Sequence, residues 1–198
     1  MKLLAFVDLH GSMSTLRKII RRAKKPDIDI IINAGDHTIF GEKFNQIMRE
    51  LNKIKKPVLT IHGNHETEKE IASAAKRYKN IINLHKRHYK KNSYLFLGWG
   101  GGGFSLVDKD FEKTAKKFKK LLKNKKKIIL VTHAPPYGTE IDKIMKEHCG
   151  NKSIRKFITK HHPILAISGH LHENAGKTDK LARTKLINPG PRGKVLQV

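Results

Sequence analysis

Apolar residues in the first half of the chain switch between two spacings. Residues 3–7, 28–34 and 57–61 are short, nearly continuous apolar runs, the pattern of strands covered on both faces. Between and after them, Leu16, Ile19, Ile20 and Ala23, then Phe44, Ile47, Met48, Leu51 and Ile54, then Ile71, Ala74, Ala75 and Tyr78 recur at helical spacing. This βαβαβα alternation predicts right-handed crossovers and a parallel sheet. The later half is less regular. Strands are predicted at 80–84 and 93–97, on either side of a basic segment at 85–91. A helix with Phe111, Ala115, Phe118, Leu121 and Leu122 on one face leads to a strand at 127–131. A short helix (Ile154, Phe157, Ile158), a strand at 164–167 and two strands at 184–188 and 194–198 around Pro189-Gly190-Pro191 complete the pattern. Neither a repeat nor a long linker divides residues 1–198, which read as one domain.

Five of the apolar runs stop at metal-binding residue types. The junctions are Asp8-Leu9-His10, Gly35-Asp36, Gly63-Asn64-His65-Glu66, Thr132-His133-Ala134-Pro135-Pro136 and Gly169-His170-Leu171-His172. In open α/β sheets, ligands bind beyond the carboxyl ends of the strands. One such motif is uninformative, since chance loops contain both Asp-x-His and Gly-His-x-His. Five in series place Asp, Asn and His at one end of a buried sheet, the makeup of a dinuclear metal site. Asp8 and His10, two apart in an extended segment, point the same way; the Asp36 carboxylate can bridge two ions; Asn64 offers its amide oxygen; His133, His170 and His172 offer imidazole nitrogens. These seven nitrogen and oxygen ligands, without a thiolate, suit two divalent transition metal ions from among Mn, Fe, Zn, Ni and Co, with Mn favoured.

The motif order resembles the calcineurin-like metallophosphoesterases over residues 8–172. Gly35-Asp36-His37-Thr38, Gly63-Asn64-His65-Glu66, Thr132-His133-Ala134-Pro135-Pro136-Tyr137-Gly138, the stretch at 100–104 and Asn188-Pro189-Gly190 are most similar to the small metallophosphodiesterase-domain group. The resemblance implies an α/β metallo-dependent phosphatase fold: a four-layer αββα sandwich of two mixed sheets flanked by helices. It also implies a first metal on Asp8, His10, Asp36 and His172, a second on Asp36, Asn64, His133 and His170, and His65 as the catalytic residue that contacts the phosphate and helps the leaving oxygen depart. His37 departs from the pattern, where many relatives carry an apolar or aromatic residue, and is expected at the pocket rim. Glu66 is expected to fix the loop or His65 rather than bind metal.

Charge then suggests the reaction. Two divalent ions bring four positive charges; Asp8, Asp36 and a bridging hydroxide cancel three, leaving one for a phosphodiester monoanion. The expected activity is hydrolysis of a phosphodiester by in-line attack of that hydroxide. A nuclease, a nucleotide phosphatase and a non-catalytic scaffold of the same fold are the alternatives, and the intact ligand set argues against the scaffold. The expected substrate is a phosphorylated small molecule or nucleotide.

Composition adds one more element. Hydrophobic residues make up 38% and charged ones 30%, which excludes a disordered chain. Lys and Arg number 42 against 17 Asp and Glu, a formal charge of +25. Such a field attracts phosphates, nucleic acid or acidic surfaces, or else merely solvates a Lys-rich exterior. The segment at 85–91 and the Lys-rich helix at 109–127 are the candidate nucleic-acid contacts. Cys149 is the only cysteine, which excludes an internal disulfide and a Cys-based zinc site. The N-terminal apolar run ends at Asp8 after five residues, too few for a signal-peptide core, and no stretch approaches the roughly 20 apolar residues of a membrane span. A cytoplasmic location is expected. The pattern places no subunit contact. Gly98-x-Gly100-x-x-Gly103 lies outside any first βαβ unit, and Ala175-Gly176-Lys177-Thr178 has Leu171 where a P-loop needs glycine, so neither reads as a nucleotide-binding loop.

Overall fold

The structure is a computed structural model that describes residues 1–122 and 127–198. In chain order, strand β1 (Lys2–Phe6), helix α1 (Met13–Ala23), β2 (Ile30–Asn33), α2 (Phe44–Asn52), β3 (Val58–Thr60), α3 (Glu68–Arg77) and β4 (Ile81–Asn83) make the predicted alternation. There follow β5 (His88–Lys91), β6 (Tyr94–Trp99), α4 (Lys109–Leu122), β7 (Lys127–Thr132), a small hairpin of β8 (Lys143–Ile144) and β9 (Glu147–His148), α5 (Lys152–His161), β10 (Leu165–Ile167), β11 (Thr178–Leu181), β12 (Thr184–Ile187) and β13 (Lys194–Gln197). Local chemistry starts the helices. Ser12 caps α1 by accepting from the Thr15 amide, Thr67 and Glu70 form a capping box on α3, and Asn151 accepts from the Ile154 amide on α5.

Two mixed sheets result. One runs β13-β1-β2-β3-β4, parallel throughout except for β13; the other runs β11-β12-β10-β7-β6-β5, parallel at its centre and antiparallel at both edges. Alternation along each strand sorts the core into three apolar layers. Leu4, Phe6, Ile31, Val58 and Ile81 face α1, α2 and α3. Leu3, Ala5, Val7, Ile30, Ile32 and Leu59 meet Phe96, Ile129, Val131, Leu165, Ile167 and Ile187 between the sheets. Leu95, Leu97, Ile128, Leu130, Ala166 and Leu186 face α4 and α5. The order helix, sheet, sheet, helix is the four-layer αββα sandwich, and it explains why the central strands carry apolar residues at consecutive positions.

The structure adds what the pattern left open. The predicted strands at 80–84 and 93–97 join different sheets: β4 closes the first, and β6 lies inside the second. The basic segment between them is not a free loop. His88–Lys91 is an edge strand paired antiparallel to β6, and His85 is buried. β11 and the β8–β9 hairpin were not foreseen, because Thr178–Leu181 and the two-residue strands carry no apolar alternation. The last two strands part company at the Pro-Gly-Pro turn, β12 entering the second sheet and β13 the first. Residues 123–126 of the predicted Lys-rich helix lie outside the described residues. Among the described residues no helix is long and apolar enough to cross a membrane.

Phe96 is fully buried between the sheets. Phe96→Ala is expected to destabilise the fold by about 3–5 kcal/mol. Val195→Ala, on the exposed side of β13, should stay within about 0.5 kcal/mol. Denaturant unfolding of the two variants beside the wild type checks both figures, and equal effects would show that the inter-sheet layer is not the main store of stability.

Candidate metal centre

All five motif loops emerge at one end of the two sheets, and four of them are joined in two pairs by main-chain hydrogen bonds. The amide of Asp8 donates to Gly35 O, that of His10 to Asp36 O, that of Gly11 to His37 O and that of Gly169 to His133 O. The turns are tight. Asp8, His10, Asp36 and His170 all have positive φ, at 55°, 44°, 50° and 70°, a region that non-glycine residues enter only when surrounding structure compensates. Gly63 has to be glycine, because a Cβ there would lie 2.0 Å from Asp36 Oδ1.

This geometry gathers the expected residues into three overlapping groups. Asp8, His10 and His172 offer atoms within 4.8 Å of one another, as do Asp36, His133 and His170, and as do His10, Asp36 and His65. His10 Nε2 and His172 Nε2 are 2.9 Å apart. Asp36 sits at the centre. Its Oδ1 accepts from the amides of Asn64 (2.6 Å) and His65 (3.1 Å). Its Oδ2 faces His133 Nε2 at 3.3 Å and His10 Nε2 at 3.8 Å. Asn64 reaches His170 Nδ1 at 3.1 Å through its amide nitrogen; rotating the amide by half a turn would present the oxygen expected of a ligand.

Unpaired buried atoms test whether these residues fit a metal. Asp8 Oδ2, His133 Nε2 and His170 Nε2 are buried without a hydrogen-bond partner, an arrangement that costs free energy unless another group satisfies them. His133 Nδ1 lies 2.9 Å from the Ala34 carbonyl. A carbonyl only accepts, so Nδ1 carries a proton, and in the neutral ring Nε2 presents its lone pair, the orientation typical of a metal-ligating histidine. The donor set fits divalent metal ions.

The sequence profile of the calcineurin-like phosphoesterases matches residues 1–174. The chain belongs to this family. An uncharacterized protein of Methanocaldococcus jannaschii is 32% identical to this phosphoesterase over 203 aligned positions, covering 97% of this chain and 89% of the relative. A probable cyclic nucleotide phosphodiesterase of Xenorhabdus bovienii is 28% identical over 158 positions, covering 74% of this chain and 62% of that relative. In architecture the chain is similar to a crystallised dimetal phosphatase from Danio rerio, with a TM-score of 0.69 at 10% identity, covering 94% of this chain and 86% of that one. The fold of this phosphoesterase is thus the metallo-dependent phosphatase fold.

Electrostatics differ across the centre. Burial alone would raise the Asp36 carboxyl, but His133 and the amides of His65 and Asn64 hold it far below the usual carboxylate range. Burial raises Asp8. Burial lowers His10, and lowers His170 to about 4, so both rings favour the neutral form that binds metal. His133, although buried, is raised by Asp36; a bound cation would compete with that proton.

His37 is not at the rim. It is fully buried, with Nδ1 3.1 Å from Glu66 Oε2 and Nε2 2.7 Å from Thr60 Oγ1. Glu66 also accepts from the Thr38 amide (2.8 Å), the Thr38 hydroxyl (2.7 Å) and the Gly63 amide (3.3 Å). It therefore ties the Gly-Asp-His-Thr loop to the Gly-Asn-His-Glu loop, as a loop-fixing residue should. Sequence reading missed Phe40 and Phe104. The Phe40 ring lies 4.5 Å from the His65 ring and that of Phe104 lies 4.5 Å from the His170 ring. Their one signal was a large apolar residue beside glycine, outside any periodicity.

Burial alone would raise the Glu66 carboxyl, but His37 and Thr38 hold it at about 2, against an ordinary 4.5. A carboxyl depressed on folding stabilises fully above its unfolded value and loses that contribution as pH falls toward the folded one. Glu66→Gln is therefore expected to cost a few kcal/mol at neutral pH, and its difference from the wild type should shrink between pH 4.5 and 2. Thermal unfolding of the metal-stripped proteins across that range checks the pair; a constant difference would refute it.

Proposed function

We infer that this phosphoesterase hydrolyses phosphodiesters at a dinuclear metal centre. The observation that carries the reading is the pair of triads Asp8/His10/His172 and Asp36/His133/His170, with the Asp36 carboxylate in contact with His133 of one and His10 of the other. Asp8, His10, Asp36 and His172 would hold one ion, and Asp36, Asn64, His133 and His170 the other. Bound there, divalent ions would supply Lewis acidity toward the phosphoryl oxygens and a hydroxide nucleophile at neutral pH.

The chain's own groups do the positioning. The amides of Asn64 and His65 pin Asp36 Oδ1 and leave Oδ2 facing His133 and His10, so that Asp36 would help to hold both ions. The Phe40 amide donates to His65 Nδ1 at 3.3 Å. In the neutral ring this leaves the proton on Nε2, and His65, grouped with His10 and Asp36, would donate it to a phosphoryl or leaving-group oxygen. Two carboxylates among the ligands leave one positive charge after the nucleophile is counted, which suits the single charge of a diester better than the double charge of a monoester. The name of the Xenorhabdus bovienii relative supports the same preference. The full complement of ligands disfavours a scaffold, and the preference for Mn rests on ligand chemistry alone.

The test is hydrolysis of a bis-aryl phosphate and an aryl monophosphate by metal-stripped protein, with and without added Mn²⁺. The expected result is metal-restored turnover with the diester faster. Asp36→Ala should lower turnover by more than roughly a hundredfold and reduce bound metal measured by elemental analysis. Near-normal turnover in that variant, or no turnover with Mn²⁺, Ni²⁺ or Co²⁺, would reject the assignment.

A further inference from the structure

Two features beside the metal centre are not used by the chemistry above. The first is aromatic. Phe40 is 82% exposed and Phe104 is 64% exposed, although each ring leans on a histidine of the centre. Exposed rings of this size are unfavourable in water without a partner. Phe40 also sits at φ 46°, a strained position for a bulky residue in a loop that has no core to fill.

The second is cationic. A cleft of about 300 Å³ is lined by Thr15, Lys18, Arg21, Arg22 and Arg192. No carboxylate lines it, and among the described residues none of its four cations belongs to an ion pair. Helix α1 has no acidic residue, whereas α4 opens with Asp110 and Glu112, and Lys113 is paired with Asp110. In the segment at 85–91, Lys86 pairs with Glu68 and His85 is buried, while Arg87 and Lys90 are exposed. Arg22 donates to the carbonyls of Arg192 (2.5 Å) and Gly193 (3.2 Å), fixing one wall. Ser12, the cap of α1, follows His10 by two residues. At about 1.5 Å per residue, Lys18 and Arg22 lie roughly 9 and 15 Å along the helix from that cap. Lys18 and Arg22 thus lie within a span of a few nucleotides of that cap.

Cationic grooves combined with exposed aromatic platforms are the recurring design of single-strand binding surfaces; here the rings lie on His65 and His170, and the cationic helix begins two residues after His10. We propose that the substrate of this phosphoesterase is single-stranded nucleic acid, with the scissile linkage at the metal centre, flanking bases on Phe40 and Phe104, and adjoining phosphates along Lys18, Arg21 and Arg192. This rests on the phosphodiesterase reading. Hydrolysis adds water across one P–O ester bond; the products are a terminal phosphate monoester and a free hydroxyl, and no further co-reactant is needed.

The experiment measures binding of a fluorescent, hydrolysis-resistant phosphorothioate oligodeoxythymidylate, and of its oligouridylate counterpart, to the Mn²⁺-loaded protein over a range of salt. The triple variant Lys18→Ala/Arg21→Ala/Arg192→Ala should make the plot of log Kd against log salt shallower by about 2, from roughly 0.7 per phosphate contact. Phe40→Ala/Phe104→Ala should weaken binding about tenfold or more at every salt concentration, with the slope unchanged. The variant Lys116→Ala/Lys117→Ala/Lys120→Ala removes the same charge from exposed positions of α4 and should change the slope little. An equal change from the α4 variant, preference for phosphatidylserine vesicles over oligonucleotide, or no oligonucleotide binding by a wild-type protein that hydrolyses the bis-aryl diester would overturn this inference alone. Oligonucleotide binding without hydrolysis of any diester would instead reject the phosphodiesterase reading, and the substrate assignment with it.

Discussion

The functional end of the molecule depends on the placement of one carboxylate. Asp36 follows β2 in a left-handed turn, its Oδ1 held by two amides of the next strand's loop and its Oδ2 turned toward histidines from the first sheet and the second. No other contact joins so many of the motif loops. If Asp36 shifted by an ångström, the Asn64–His65 turn would lose its anchor and the two triads would lose the carboxylate that faces a histidine of each. The close approach of Gly63, where a single methyl would collide with that carboxylate, shows how little room the arrangement leaves. Glu66 and His37 do for the loops from below what Asp36 does from above, with every carboxylate oxygen hydrogen-bonded.

Such a site is expensive to build. Four of the seven proposed ligands occupy left-handed backbone, each at a cost on the order of 1 kcal/mol or more, and three buried ligand atoms have no protein partner. The sandwich beneath can offset this, because it holds three apolar layers in which the central strand residues are nearly all fully buried. The strands deliver the loops rigidly to one end, where four of the strained residues would contact the ions. Metal binding would then recover part of the cost by satisfying Asp8, His133 and His170.

The sequence was most legible where one physical demand acted alone. Continuous apolar runs such as 3–7 mark strands buried on both faces, and the helix stripes mark one covered face, so the alternating half could be placed. The seven ligand positions stood out because Asp and His rarely end buried strands without chemical reason. Legibility failed where tertiary context decides. Nothing local says that Ile81–Asn83 and Tyr94–Trp99 belong to different sheets, or that Lys194–Gln197 returns to pair with the first strand. His37 looked like a rim residue because its burial depends on Glu66 and Thr60, distant in sequence and adjacent in space. Phe40 and Phe104 follow no period, since their positions answer to the metal centre rather than to a core.

The large positive charge and the acid-containing centre are parts of one electrostatic design. At contact range, Asp8 and Asp36 favour cations, and burial keeps His10 and His170 in the neutral form that can bind metal. At longer range a formal charge of +25 draws anions toward the surface, over a distance set by a Debye length of about 8 Å at physiological salt. The two scales do not conflict, because the carboxylates are buried and would be neutralised by the ions they hold, whereas the lysines and arginines stay solvated. An anionic ester approaching this molecule would therefore meet attraction at every distance. Surplus charge spread over the whole surface concentrates ligand without choosing it. Choice has to come from the few cations and rings whose geometry relates them to the reacting phosphate, which is the role proposed for the α1 cleft and the two exposed phenylalanines.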